Sequence, residues 1–205
     1  MSSSASSPAD VLNIALRRIG YKLRVGSLQE GSFAAKQALD LYAQTRDQVM
    51  REGEWGFAER NVAMILQKSA PANGYVPPIT WNPLTNPPIG WLYQYSRPSD
   101  CLKIRAVKPT PLFVPNFDPQ PNIFGEANDD TQSPAVQVIL CNVPNALLVY
   151  TGQVTDPTTW EADFVSALAD ELGRGLAPVL ATLQQAQMIA AEGAQDKAVA
   201  EYEQG

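Results

Sequence analysis

The 205-residue chain contains no histidine. That removes the commonest general base and the commonest metal ligand together. No Ser/His or Cys/His nucleophilic pair can form. Cysteine is scarce as well: Cys101 and Cys141 stand forty residues apart, which fits no zinc or redox spacing. Both read as buried thiols packed as small hydrophobes. No Gly-Lys-Ser/Thr phosphate loop occurs, and the "GRG" at 173–175 falls inside a helical pattern. No apolar run approaches the ~20 residues of a membrane span. The opening "MSSSASSP" has neither a basic nor an apolar region, so it does not read as a signal peptide. The expectation is a non-membrane protein made in a cytoplasm, with no catalytic residues, no cofactor and no metal.

Basic charge is scarce at one end. The net charge is −6, and residues 151–205 carry nine acidic side chains against two basic ones. A protein that grips nucleic acid needs cations to displace counterions from phosphates, and no basic surface is evident. Asp163, Asp170 and Glu171 are candidates for an acidic face that lines a channel or meets a partner; the plainer reading is a solvated helix side. Neighbouring carboxylates such as Glu161/Asp163 or Asp170/Glu171 do not converge on one point from a helix. Asp129-Asp130 lacks the further oxygen ligands that a calcium loop supplies.

What is present is mostly architecture. "SSPADVLNIALRRIG" has a Ser cap, a proline at the first helical position and an apolar face ending at Gly20. A second helix is expected from about Phe33 to Glu52, stopped by Gly53. Trp55 and Phe57 lie just past it, placed to plug a junction. "NVAMILQ" reads as a short strand. Thirteen of the seventeen prolines fall in residues 68–135, and they exclude regular helix or central strand there. "WLYQYSRPSDCLKIRAV" reads as strand, turn, strand, and "AVQVILCNVPNALLVYTGQV" as a hairpin. Loops as long as those in the proline-rich tracts usually bind something or move. Helix returns with Trp160, Phe164, Leu168 and Leu172 at four-residue spacing, with Gly173, Gly175 and Pro178 expected to break or kink it. The last segment has a weak apolar face of Met188, Ala191, Ala198 and Tyr202, a candidate docking helix. The expected fold class is α+β: a mainly helical bundle with an inserted small antiparallel β-sheet carrying long Pro-rich loops. The bundle is discontinuous, residues 8–60 and 155–204, with the β insertion at 61–154.

The order "VLNIALRRIG", then "AAKQALDLYAQTRDQVMREGEWGFA", then "YSRPSDCLKI", then "WEADFVSALADELGRGLA" resembles the head–tail connector (adaptor) family of tailed phages, including tail tubular protein A-like and head-completion proteins. The resemblance rests on Ile19-Gly20 and on Arg51, Gly53, Trp55 and Phe57 at the helix exit. It covers about residues 9–180. It implies a structural virion protein that assembles as a homo-oligomeric ring, dodecameric in this family, between the portal protein and the tail tube or nozzle, with tail fibres as a further neighbour. DNA would pass through without sequence-specific binding. Gly20, Gly53, Trp55 and Phe57 would form a structural core plug, and the 188–202 face would dock on the portal. The alternative is an aromatic-loop binding module of a tail-fibre assembly.

Overall fold

The structure is a computed structural model that describes residues 7–72, 80–110 and 123–181. The chain forms two compact units. One comprises Met1–Gly53 and Thr155–Gly205; the other is Glu54–Val154.

In the first unit, α1 runs Pro8–Arg18. Ser7 Oγ accepts the Asp10 amide at 3.2 Å and donates to the Asp10 carboxylate at 2.8 Å. This satisfies amides that the first turn leaves unpaired. Val11, Leu12, Ala15 and Leu16 are buried. Gly20 takes φ +79 just beyond the helix, and the Tyr21 amide returns to the Leu16 carbonyl at 2.9 Å. That left-handed turn is what glycine is needed for. Helix α2, Phe33–Glu52, is capped by Ser32 and buries Ala34, Ala35, Ala38, Tyr42, Val49 and Met50. The helix ends where expected, with Gly53 at its C-cap: the Gly53 amide bonds to the Val49 carbonyl at 3.4 Å, and its φ −103 and ψ 161 are ordinary extended backbone.

Helix α3 occupies 162–181 and buries Phe164, Leu168, Leu172, Leu176 and Leu180. Gly173, Gly175 and Pro178 were expected to break or kink the helix; no break occurs, and it continues through all three. An interior proline costs roughly 3 kcal/mol, but each buried leucine contributes about 2 kcal/mol, so burial wins. Gly173 serves packing: a Cβ there would lie 3.3 Å from Ile19 Cγ2 and 3.5 Å from the Ala15 carbonyl. It lets α3 settle against α1.

The second unit overturns the expected fold class. It is no small sheet inserted into a mainly helical bundle. Among the described residues it holds seven strands: β1 Glu59–Ala63, β2 Leu66–Ser69, β3 Tyr93–Ser96, β4 Cys101–Lys108, β5 Phe124–Asp129, β6 Val136–Cys141 and β7 Leu147–Gly152. They make two antiparallel sheets, of order β1-β7-β4 and β2-β3-β6-β5. Strands β1 and β2 are one bent run. The Met64 amide still bonds to Ala146, and Ile65 still accepts from Ser96, so the chain changes sheets without losing its ladder. The expected 136–152 hairpin is a second such corner. Strand β6 pairs with β3 and β5, whereas β7 pairs with β1 and β4. Asn145, at φ 49, and the Val143 carbonyl held by Tyr95 Oη at 2.7 Å shape that corner. The core combines Tyr95, Ile139 and Cys141 of one sheet with Ile104, Val107, Leu148 and Tyr150 of the other. Both cysteines are buried and form no disulfide.

The glycines of α3 yield a paired prediction. At Gly175 a Cβ would meet only the flexible Leu41 Cδ1, at 3.4 Å. Gly175→Ala should therefore raise stability by up to about 1 kcal/mol, the helix-propensity difference. Gly173→Leu should lower it by about 1–3 kcal/mol through overpacking. Thermal melts of the two variants check both signs.

Candidate functional site

The helix exit is fastened by arginines through the main chain. Arg105, on β4, donates from Nη2 to the Trp55 carbonyl at 3.0 Å, from Nη1 to Glu59 Oε2 at 2.9 Å and from Nε to Thr151 Oγ1 at 2.9 Å. Its side chain is almost fully buried, and a guanidinium with five donors suits such three-way bridging. Arg60 Nη1 donates to the Phe57 carbonyl at 3.1 Å. Trp55 and Phe57 are each half-buried; the fully buried residue is Ala58, in the 3-10 turn Gly56–Ala58. Of the four residues expected to form one plug, Gly20 and Gly53 belong to the helical unit and Trp55 and Phe57 to the β unit. Arg105 was not singled out from the sequence, where it is one of several charges alternating along "CLKIRAVK".

A second polar centre pins a loop to the four-stranded sheet. Asp129, at the end of β5, is buried, and Lys68 Nζ of β2 lies 2.7 Å from its Oδ2. Gln94 Nε2 donates to the same oxygen at 2.8 Å, and the Thr131 hydroxyl and amide donate to Oδ1 at 2.5 and 3.1 Å. Burial by itself would raise the Asp129 pKa. The hydrogen bonds from Lys68, Thr131 and Gln94 outweigh it and hold the carboxyl well below the usual range. Lys68 also donates to the Pro83 carbonyl at 2.8 Å. Asn86 Nδ2 reaches the Ser69 carbonyl at 3.3 Å, and Trp81 Nε1 donates to the Pro87 carbonyl at 2.8 Å. The described part of the first proline tract is thus tied down rather than loose. The Asp129-Asp130 pair is no cation site: an amine already neutralises Asp129. Among the described residues no group of three or more acidic or cysteine side chains is placed to hold a metal, and no helix is long and apolar enough to cross a membrane.

The expected acidic face is partly neutralised. Asp170 pairs with Arg18 at 2.6 Å and Glu171 with Arg174 at 2.7 Å. Asp163 is exposed and joins no ion pair among the described residues. Asp163, Asp170 and Glu171 do share one side of α3, being seven and eight residues apart. Met188, Ala191, Ala198 and Tyr202 lie outside the described residues.

The sequence reading missed an apolar cleft of about 220 Å³ at the bend between β1 and β2. Val62, Met64, Pro98, Leu148 and Tyr150 contribute to its walls, and Ile65 at its rim is 72% exposed. Tyr150 donates to Asp100 Oδ1 at 3.0 Å, and burial together with that carboxylate pushes its pKa up to about 12. It therefore stays a neutral wall residue at ordinary pH. The only sequence signal for this cleft was the unbroken apolar run "VAMIL".

The Asp129 centre gives a pH-dependent prediction. Its pKa is depressed in the folded state, so its stabilisation is present above the unfolded value of about 3.9 and is lost as pH falls through the folded value. Lys68→Met strands the carboxylate and should cost about 3–5 kcal/mol at neutral pH. The gap between variant and wild type should narrow progressively as pH drops below about 4. Urea unfolding of both proteins across that range checks the magnitude and the sign.

Comparison of the chain with protein-family models and with curated proteins finds no match.

Proposed function

We propose that this chain is a structural head–tail connector of a tailed phage, a non-enzymatic ring subunit seated between the portal protein and the tail. The observation that carries the reading is the discontinuous plan. Both ends of the sequence contribute to one helical unit, and residues 54–154 form a separate β unit between them. This plan joins the ordered motifs that resemble the connector family. A ring subunit must meet neighbours on two sides and further proteins above and below. The exposed apolar residues suit such a part better than a pocket enzyme: Leu23, Phe33 and Leu39 on the helical unit, and Ile65, Leu84 and Ile89 on the β unit. The net charge of −6 suits a conduit, because like charge repeated around a ring repels DNA passing through it. In a virion the subunit would contact portal, tail tube or nozzle, and tail fibres.

Electron microscopy of the purified protein, alone and mixed with its portal, should show rings with a central channel. Gel shifts with duplex DNA at physiological salt should show no binding by the assembled ring. A protein that stays monomeric with the portal present contradicts the reading. So does a ring that binds duplex tightly and in a salt-sensitive way.

A further inference from the structure

The apolar cleft at the β1–β2 bend lies beside an unpaired strand edge. Val62, Met64, Leu148 and Tyr150 line it on one side, Ser96 and Pro98 on the other. Leu148 and Tyr150 belong to the core of the β unit, so the cleft opens onto that core. Strand β1 has one neighbour among the described strands, β7. In an antiparallel ladder, alternate residues turn their amide and carbonyl to the same side. The Met64 amide bonds to the Ala146 carbonyl at 2.9 Å, which places the main-chain groups of Arg60, Val62 and Met64 on the β7 side. Those of Glu59, Asn61 and Ala63 face away. Arg60 Nη1 meets the Glu59 carbonyl at 3.1 Å. Among the described residues, the main-chain groups of Asn61 and Ala63 have no partner.

Natural sheets blunt such edges with charge, proline or bulges. The other edges of the two sheets have these devices: Lys103 and Lys108 on β4, Glu126 on β5, and a bulge between Leu66 and Lys68 on β2. The run "NVAMIL" at 61–66 has no charge, proline or glycine, and Ile65 and Leu66 are 72% and 51% exposed. An uncharged edge with free main-chain groups beside a slot into the core is the geometry of strand addition. Main-chain bonds hold an extended segment, and the slot takes alternate side chains.

The occupant's chemistry follows from the pleat. A residue added directly opposite Val62 shares its face, so its side chain enters the cleft. Its neighbours point to the other face, beside Asn61 and Ala63. The segment is therefore extended and uncharged, with aliphatic side chains at alternate positions. A second copy fits poorly through the same edge. In either antiparallel register that uses both Asn61 and Ala63, its Arg60 comes opposite Val62 or Met64, a cation over an apolar cleft. Such a two-fold pairing also closes after two copies and builds no ring. The chain's own tracts at 73–79 and 111–122 hold two and four prolines, which lack the amides that an added strand donates.

We propose that the β1 edge at Asn61 and Ala63, with its adjoining cleft, is a docking site for an extended, uncharged strand of another protein, one aliphatic side chain of which fills the cleft. The site lies wholly within the β unit and goes beyond the connector reading.

The test uses the full chain and, as probe, the end-blocked peptide Thr-Val-Thr-Leu-Thr-Val-Thr. In the free chain the Asn61 and Ala63 amides should exchange rapidly with solvent, and excess peptide should slow both at least about tenfold. The peptide with aspartate in place of leucine should not. Ala63→Pro removes one outward amide and leaves the β7 bonds in place, since an edge position facing solvent tolerates proline. It should keep its thermal melt and weaken peptide binding at least about tenfold. If that variant melts early, the aspartate comparison on the unsubstituted chain decides alone. No slowing with the leucine peptide, or equal slowing with the aspartate peptide, overturns the proposal. So does protection already present in the free chain: independent of concentration it assigns the edge to the chain's own segment, and rising with concentration it assigns it to a second copy. Rings by microscopy without peptide binding overturn this site and leave the connector reading standing.

Discussion

The architecture depends on closing the two ends of the inserted β unit onto each other. Strand β1, which brings the chain in, pairs with β7, which takes it out, with Glu59 opposite Thr151. Arg105 then ties Trp55, Glu59 and Thr151 to β4 through one nearly buried guanidinium. Because these ends pair, the β unit is closed by its own strands, with its first and last strands side by side. The guanidinium is costly to bury, but its donors are met by a carboxylate, a carbonyl and a hydroxyl. Truncating it would remove all three of those hydrogen bonds, leaving the Trp55 carbonyl its bond from the Ala58 amide at 3.3 Å.

A similar economy governs the Asp129 centre. A carboxylate inside a sheet would be unfavourable alone. It is tolerated because Lys68, Gln94 and Thr131 arrive from three different segments, and Lys68 continues to the Pro83 carbonyl. One buried charge therefore organises the loop at 80–90 against β2. The polar centres lie where the chain has corners and loops to position; the stretches between are carried by apolar burial.

Much of the helical unit could be read from the sequence because its signals are local. The Ser7 cap, Pro8, the apolar spacing of α1 and the Phe164–Leu168–Leu172 stripe each depend on residues within a few turns. The β unit was harder to read. Strand β5, "FGEAND", is built from poor strand formers. It is a strand because six residues pair with β6 and because Gly125 lies under Trp91, whose Cζ2 would be 3.1 Å from a Cβ. Strand β2, "LQKS", is likewise polar and is a strand through its pairing with β3. The turn at 142–146 resembles a hairpin turn, yet it sends β7 to the other sheet, a choice made by long-range partners. The glycines of α3 were misread because a helix breaker and a close-packing residue look alike in one dimension.

The central claim is that pairing β1 with β7, locked by Arg105, makes residues 54–154 a self-sufficient folding unit. The most direct measurement is the amide spectrum and thermal melt of that fragment alone, with and without Arg105→Met. A dispersed spectrum and a single cooperative melt, both degraded by the substitution, are the predicted result. A collapsed spectrum from the unsubstituted fragment, or a melt indifferent to Arg105, would contradict the account.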